Sequence, residues 1–180
     1  MKIYKLTEEI RMAEHIYWSK THWNGNSYVI AATKQGLCYI GSPNGEWNDL
    51  IVWSNAYTEQ SDLIENDERL APYVAQLQSY WKGEIRQISL MFDMRGTDFQ
   101  QLVWNELRRI PYGETVTYQH IANQLGKPTA ARAVGTAIGK NPVLIAVPCH
   151  RVIGSNGKLK GFRGGLKMKQ ELLELEVAFR

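Results

Sequence analysis

Between Met91 and Gly96 the chain changes character in two respects at once, and that change bounds what it can fold into. Upstream, short apolar runs rich in β-favouring residues alternate with turn residues. Downstream, apolar residues recur at three- and four-residue spacing between helix-capping signals. The charge changes sign with the pattern: residues 1–96 carry 9 Lys and Arg against 12 Asp and Glu, whereas residues 97–180 carry 12 against 6. Such a chain is expected to be an α/β protein, with a small α/β domain over 1–92 and a mostly helical domain over 93–180.

In the first part, residues 1–55 read as short strands, with Tyr28–Ala32 and Gly36–Gly41 forming a hairpin around Thr33-Lys34-Gln35. Ser61–Trp81 reads as a helix stopped by Gly83, and Ile85–Phe92 as a further strand. Most of the six Trp and nine Tyr lie in this half, where filling a core is favoured over stacking on bases. Cys38 and Cys149 are far apart and show no Cys-x-x-Cys spacing, and His15, His22 and Cys38 have no companion thiols. Neither a disulfide, a metal nor a cofactor is therefore expected, and a reducing cytoplasm is the simplest compartment. Met1–Ala13 already carries five charges and no apolar run approaches membrane-spanning length, so no membrane partner is expected.

The second part is punctuated by caps. Thr97 followed by Gln100 reads as a capping box, with Phe99, Leu102, Val103, Leu107 and Ile110 as one apolar stripe ended by Pro111-Tyr112-Gly113. Thr117 reads as the cap of a helix over Tyr118–Leu125, Gly126 as its left-handed terminator and Pro128 as the opening of the next helix, which together make a helix-turn-helix. That second helix is stripped to Ala130, Ala131, Ala133, Gly135, Ala137 and Gly139, with Arg132 as its one long exposed-type side chain. Its slimness suits either tight packing on another helix or entry into a widened minor groove. Arg132 favours the groove, because burying it against protein demands a carboxylate partner. Between Glu114 and Glu171 nine Lys and Arg occur with no Asp or Glu, which favours a polyanionic partner over an inert solvated face.

Asn141-Pro142 precedes the apolar run Val143–Val147, which reads as a buried strand delivering Pro148-Cys149-His150-Arg151. A free thiol has a pKa of about 8.5, so a nucleophilic Cys149 needs a neighbouring base or cation. Adjacent residues on an extended chain point to opposite sides, so His150 is expected to reach Cys149 through a water rather than directly. Glu176 lies four residues after Leu172 and three after Leu173. Either it is buried and orients His150, or it sits at the edge of that face and reaches water. Gly154–Gly157 and Gly161–Gly165 supply turns for a loop that can wall a pocket.

Pro148-Cys149-His150-Arg151-Val152, Ala130-Ala131-Arg132-Ala133-Val134-Gly135, Asn141-Pro142 and Gly161-Phe162-Arg163-Gly164-Gly165-Leu166 occur in one order across residues 97–176. This segment resembles the catalytic domain of the O6-alkylguanine-DNA alkyltransferases, also called methylated-DNA–protein-cysteine methyltransferases; the first eighty residues match weakly. The resemblance implies a ribonuclease-H-like first domain, a winged-helix-like second domain and a monomer that binds double-stranded DNA containing O6-alkylguanine through the minor groove. It implies Cys149 as alkyl acceptor, His150 as base through water, Glu176 as its orienting group, and Tyr118 and Asn141 as further catalytic residues. Arg132 would fill the space left by a flipped nucleotide, with Thr117, Ala131, Ala133, Gly135 and Arg151 also on the DNA side. Tyr118, Val152, Phe162, Arg163 and Gly164 would line the substrate pocket, where Phe162 and Arg163 replace the Tyr and the smaller residue more usual in the family. Rival readings are an alkyltransferase-like lesion binder, which Cys149 argues against, a cysteine hydrolase, and a plain helix-turn-helix regulator.

Overall fold

The computed structural model describes residues 13–58 and 60–180; the part of the expected strand region over 1–12 lies outside the described residues. Strands β1 (Glu14–Trp23) and β2 (Asn26–Ala32) are antiparallel and joined by Asn24-Gly25, with φ of 49° and 74°. An Asn-Gly pair with both residues left-handed is the turn that matches the twist of two antiparallel strands. Strand β3 (Leu37–Ile40) pairs antiparallel with β2, completing the expected hairpin. Helix α1 (Trp47–Asn55) then leads to strand β4 (Ser61–Glu65), which lies parallel to β1, so the sheet order is β3-β2-β1-β4.

Three segments depart from the sequence expectation. Residues 47–55 form a helix rather than a strand, and 61–65 form a strand rather than the start of a helix. The helix begins only where Asn66 can cap it, its side chain accepting from Arg69 N at 2.8 Å, and α2 then runs over Asp67–Trp81. Ile85–Phe92 forms no strand either. β3 is only four residues long and offers this segment a single bridge, Leu37 to Phe92.

Beyond the junction the caps act as read. Thr97 and Gln100 close a reciprocal capping box on α3 (Asp98–Leu107), and Thr117 Oγ1 accepts from His120 N at 3.1 Å to start α4 (Tyr118–Gln124). Gly126 is left-handed at φ 66°, and a 3-10 turn over Pro128–Ala130 leads into α5 (Ala131–Gly139). Of the apolar stripe on α3, Val103, Leu107 and Ile110 are buried while Leu102 faces solvent. Strand β5 (Val116–Thr117) pairs in parallel with β6 (Val152–Ile153), which ties the start of the helix-turn-helix to the residues just after Cys149. Helix α6 (Gly165–Ala178) closes the chain.

Alternation along β2 divides the interior. Tyr28, Ile30 and Ala32 face a main core that runs unbroken through α2, α3 and α5 to Leu172, whereas Val29 and Ala31 join Ile16, Cys38, Tyr39 and Leu50 in a smaller cluster. The sheet domain and the helical domain thus share apolar burial, at about 1.5–3 kcal/mol for each large aliphatic side chain removed from water. Among the described residues no helix is long and apolar enough to cross a membrane.

Candidate active site

Val143–Val147 is buried as expected but is not a strand. It is a compact turn in which Val147 N donates to Val143 O at 3.1 Å and Ile145 adopts φ 71°. A β-branched residue in that region is strained by about 1–3 kcal/mol, and the surrounding core holds it there. The turn delivers Cys149, His150 and Arg151 as one 3-10 turn rather than an extended segment. All three are buried, as is Asn141.

Asn141 organises the thiol. Its Nδ2 donates to Cys149 Sγ at 3.0 Å and to Val147 O at 3.0 Å, while its Oδ1 accepts from Val143 N at 2.9 Å. Burial pushes the Cys149 thiol above its ordinary value, while the Asn141 bond and the positive charges of Arg163 and Lys169 pull it back. Burial also lowers the His150 pKa from 6.5, which keeps the ring neutral. His150 Nε2 lies 2.6 Å from Glu176 Oε1, and His150 Nδ1 is buried without a hydrogen-bond partner among the described residues. A neutral ring beside a carboxylate carries its proton on Nε2, which leaves Nδ1 as a free acceptor.

Glu176 is fully buried, which settles the two alternatives left by helix periodicity. It is surrounded by donors: His150, Tyr80 Oη, Gly113 N at 2.9 Å, and Arg151 through Nε at 3.0 Å and Nη2 at 2.9 Å. Burial alone would raise its pKa, but the bonds and charges of His150 and Arg151 win and hold it at about 2. Arg151, expected on the DNA side, turns inward instead: it is buried, its Nε and Nη2 bond Glu176, and its Nη1 donates to Ile110 O at 2.6 Å.

Comparisons with known proteins give the family of the chain. Residues 98–178 match the family model described as 6-O-methylguanine DNA methyltransferase, DNA binding domain. The chain is 47% identical over 161 residues to the inducible methylated-DNA–protein-cysteine methyltransferase of Bacillus subtilis, a match covering 89% of this chain and 90% of that one. This chain belongs to the methylated-DNA–protein-cysteine methyltransferases. The crystal structure of Mycobacterium tuberculosis O6-methylguanine methyltransferase superposes with a TM-score of 0.78 at 38% identity, covering 92% of this chain and 94% of that one. The structure of the same M. tuberculosis protein in complex with DNA superposes at 0.75 with 39% identity and the same coverage.

In this methyltransferase Arg132, Ala133 and Thr136 form the exposed face of α5, and Val134, Ala137 and Ile138 the buried one. Ala131 and Thr117 are half-buried, and Gly135 lies against the Tyr118 ring. Tyr118 Oη donates to Lys160 O at 3.3 Å, and burial together with the Cys149 sulfur keeps the phenol protonated. Val152 is fully buried; the half-buried Phe162 meets His150 edge-on with ring centroids 6.5 Å apart; Gly164 is buried with no room for a Cβ between Met168 and Phe162. Arg163 sends its guanidinium toward β3.

Two residues of the site were not singled out from sequence. Tyr80 reads as one more apolar position of α2, and nothing local marks its bond to Glu176. Lys169 is fully buried and donates to Val152 O at 2.6 Å and Lys160 O at 2.8 Å, which burial accompanies with a pKa lowered to about 8. Its signal was present: Lys169 lies three residues before Leu172 and seven before Glu176, on the same helical face. Of the nine Lys and Arg read as unopposed, Arg151, Arg163 and Lys169 are therefore committed inside the protein.

Proposed function

We propose that the chain performs direct-reversal DNA repair, taking the alkyl group of O6-alkylguanine, and of O4-alkylthymine, in duplex DNA onto its own Cys149 after the base is flipped out. The observation that carries this reading is the buried His150, with Nε2 committed to Glu176 and Nδ1 open as an acceptor one residue from a buried thiol. His150 takes the thiol proton through a bridging water, and Glu176, already ionised, stabilises the imidazolium that results. The Asn141 amide donates to the sulfur as it becomes thiolate. Sulfur then attacks the alkyl carbon, the bond from that carbon to O6 breaks, and Tyr118 donates to the departing base as negative charge develops on it. The product is a neutral thioether with no activated bond for water, so each chain acts once.

The DNA reading rests on the exposed face of α5. The exposed Ala133, with the half-buried Ala131 and Gly135 beside it, lets the backbone approach the minor groove, and Arg132 is exposed and fills the gap left in the stack. Thr117 and Tyr118 adjoin the flipped nucleotide, and Val152, Phe162 and Gly164 wall its pocket. The domains span 1–92 and 93–180. Three antiparallel strands with a parallel fourth support a ribonuclease-H-like first domain, and the β5–β6 pair beside the helix-turn-helix supports a winged-helix-like second one. A site drawn from one chain suits a monomer, and a free acceptor thiol suits the cytoplasm.

Intact mass measured after incubation with a duplex carrying O6-methylguanine tests the proposal. One added methyl per wild-type chain, and none on Cys149→Ser, is expected; an unmodified wild-type chain beside a persisting lesion overturns it.

A further inference from the structure

In that transfer step Arg163 acts on the thiol only through its charge, and the sheet domain contributes only the bond from Tyr80 to Glu176; the structure also joins Arg163 directly to the sheet domain. Arg163 stands in the middle of the loop between Gly161 and Gly165, both left-handed at φ 23° and 84°, and next to the Phe162 ring that meets His150. Its Nη2 donates to Ile40 O at 2.6 Å and to Pro142 O at 3.0 Å, and its Nε donates to Asn141 O at 3.0 Å. The guanidinium also lies 5.2 Å from the centre of the Tyr39 ring. From the other side, Ser42 Oγ donates to the carbonyl of Arg163 itself at 3.1 Å. The loop is thus tied by side chain and backbone to the end of β3 and the residues that follow it.

Asn141 stands between the two walls. Its backbone carbonyl receives Arg163, while its side chain donates to Cys149 Sγ. The neighbouring Pro142 O accepts from Ile40 N at 2.9 Å, and Ile40 bridges Val143, so the end of β3 also carries the turn that delivers the acceptor. One planar cation therefore spans the turn behind the sulfur and the loop in front of it. Three carbonyls placed around a guanidinium fix its plane as well as its position, which a lysine's point charge does not. On the far side Gly164 lies against Met168 and Phe162 with no room for a side chain, so the loop is packed there as well.

We infer that Arg163 is a positioning and specificity-determining residue: by clamping loop 161–165 to β3 and to Asn141 it holds the alkyl pocket at a fixed width, which makes the sheet domain a structural part of the transfer site. The inference rests on Cys149 as acceptor. Releasing the clamp lets the loop move outward, so a small alkyl group loses its fit while a bulky one gains room.

The test compares transfer rates for O6-methylguanine and O6-benzylguanine in the same duplex, so that DNA affinity cancels from the ratio. Arg163→Met keeps the aliphatic stem and removes every hydrogen bond of the guanidinium; Ser42→Ala removes one bond from the sheet domain without touching the pocket. Arg163→Met is expected to slow methyl transfer roughly tenfold, as for a small misplacement of reacting groups. The benzyl-to-methyl ratio should then rise roughly fivefold, and Ser42→Ala should move it the same way by about twofold, each tenfold corresponding to about 1.4 kcal/mol of barrier. A uniform loss on both substrates, or an unchanged ratio in both variants, overturns the clamp while leaving Cys149 as acceptor. Should Arg163→Met fail to fold, Ser42→Ala decides alone by the same ratio. No transfer by the wild type would instead overturn the acceptor reading.

Discussion

The regions around Cys38 and Cys149 bury these residues almost equally, at 0% and 2% exposure, and surround their thiols differently. In the sheet domain Cys38 donates to Ala31 O at 3.3 Å among Ile16, Val29 and Leu50, and burial pushes its thiol far above the ordinary range. Around Cys149 the same burial is opposed by the Asn141 amide and by the charges of Arg163 and Lys169, with His150 the next residue and Glu176 bonded to its ring. Burial desolvates the thiol in both places, so reactivity is decided by which donors, cations and bases face the sulfur. The helical domain carries buried polar groups for this purpose, whereas the core around Cys38 is almost wholly apolar.

The largest effect expected breaks the pair of cysteines apart. Cys149→Ser should accept no methyl, and Cys38→Ser should accept one per chain at an essentially unchanged rate, both read by intact mass. Next, Arg151→Met leaves Glu176 short of a buried guanidinium and should cost about 3–5 kcal/mol in urea unfolding. Arg95→Met, at the partly buried bridge from Arg95 to Glu14 and Asp93 across the domain junction, should cost less, on the order of 1 kcal/mol. Equal losses would mean that the two polar clusters do the same work.

Arg132→Ala should lower repair in duplex DNA by roughly tenfold or more, the scale of an unfilled gap in the stack. Free alkylguanine should react nearly as before; equal losses on both substrates would remove the finger role. The pH dependence is smaller and has a definite sign. His150 is lowered from 6.5 in the folded state, so the unfolded chain binds the extra proton first, and stability present above pH 6.5 is lost as pH falls below it. Glu176, lowered from 4.5 to about 2, likewise contributes stability above 4.5 that is lost on approach to 2. Urea unfolding of the wild type should therefore weaken below pH 6.5 by up to about 1.4 kcal/mol per pH unit, and His150→Gln should flatten that first decline. Smallest of all, Thr117→Ala should cost about 1 kcal/mol through the lost cap on α4, with the sheet domain untouched.

Legibility differed between the regions for the same reason that their chemistry does. Thr97 with Gln100, Thr117 and Gly126 were readable because a cap is satisfied within three residues of itself. The start of α2 was misread because Leu63 and Ile64 suit a strand or a helix, and pairing with β1 decides between them. Val143–Val147 was misread as a strand because a buried turn and a buried strand have the same composition; only the surrounding core holds Ile145 at φ 71°. The basic segment suggested nine free cations, yet Arg151, Arg163 and Lys169 found their acceptors 25, 123 and 17 positions away.

Residue order alone marked Cys149 and its adjacent imidazole, the stripped helix with its single arginine and the caps that start α3 and α4, all of which depend on neighbours within a turn or two. Tertiary structure decided that Glu176 is ionised while buried, that Arg151 serves it rather than DNA, and that Arg163 reaches strand β3. Those outcomes depend on groups up to 123 residues apart meeting where water is excluded, and no local pattern encodes which distant carbonyl or carboxylate will be waiting there.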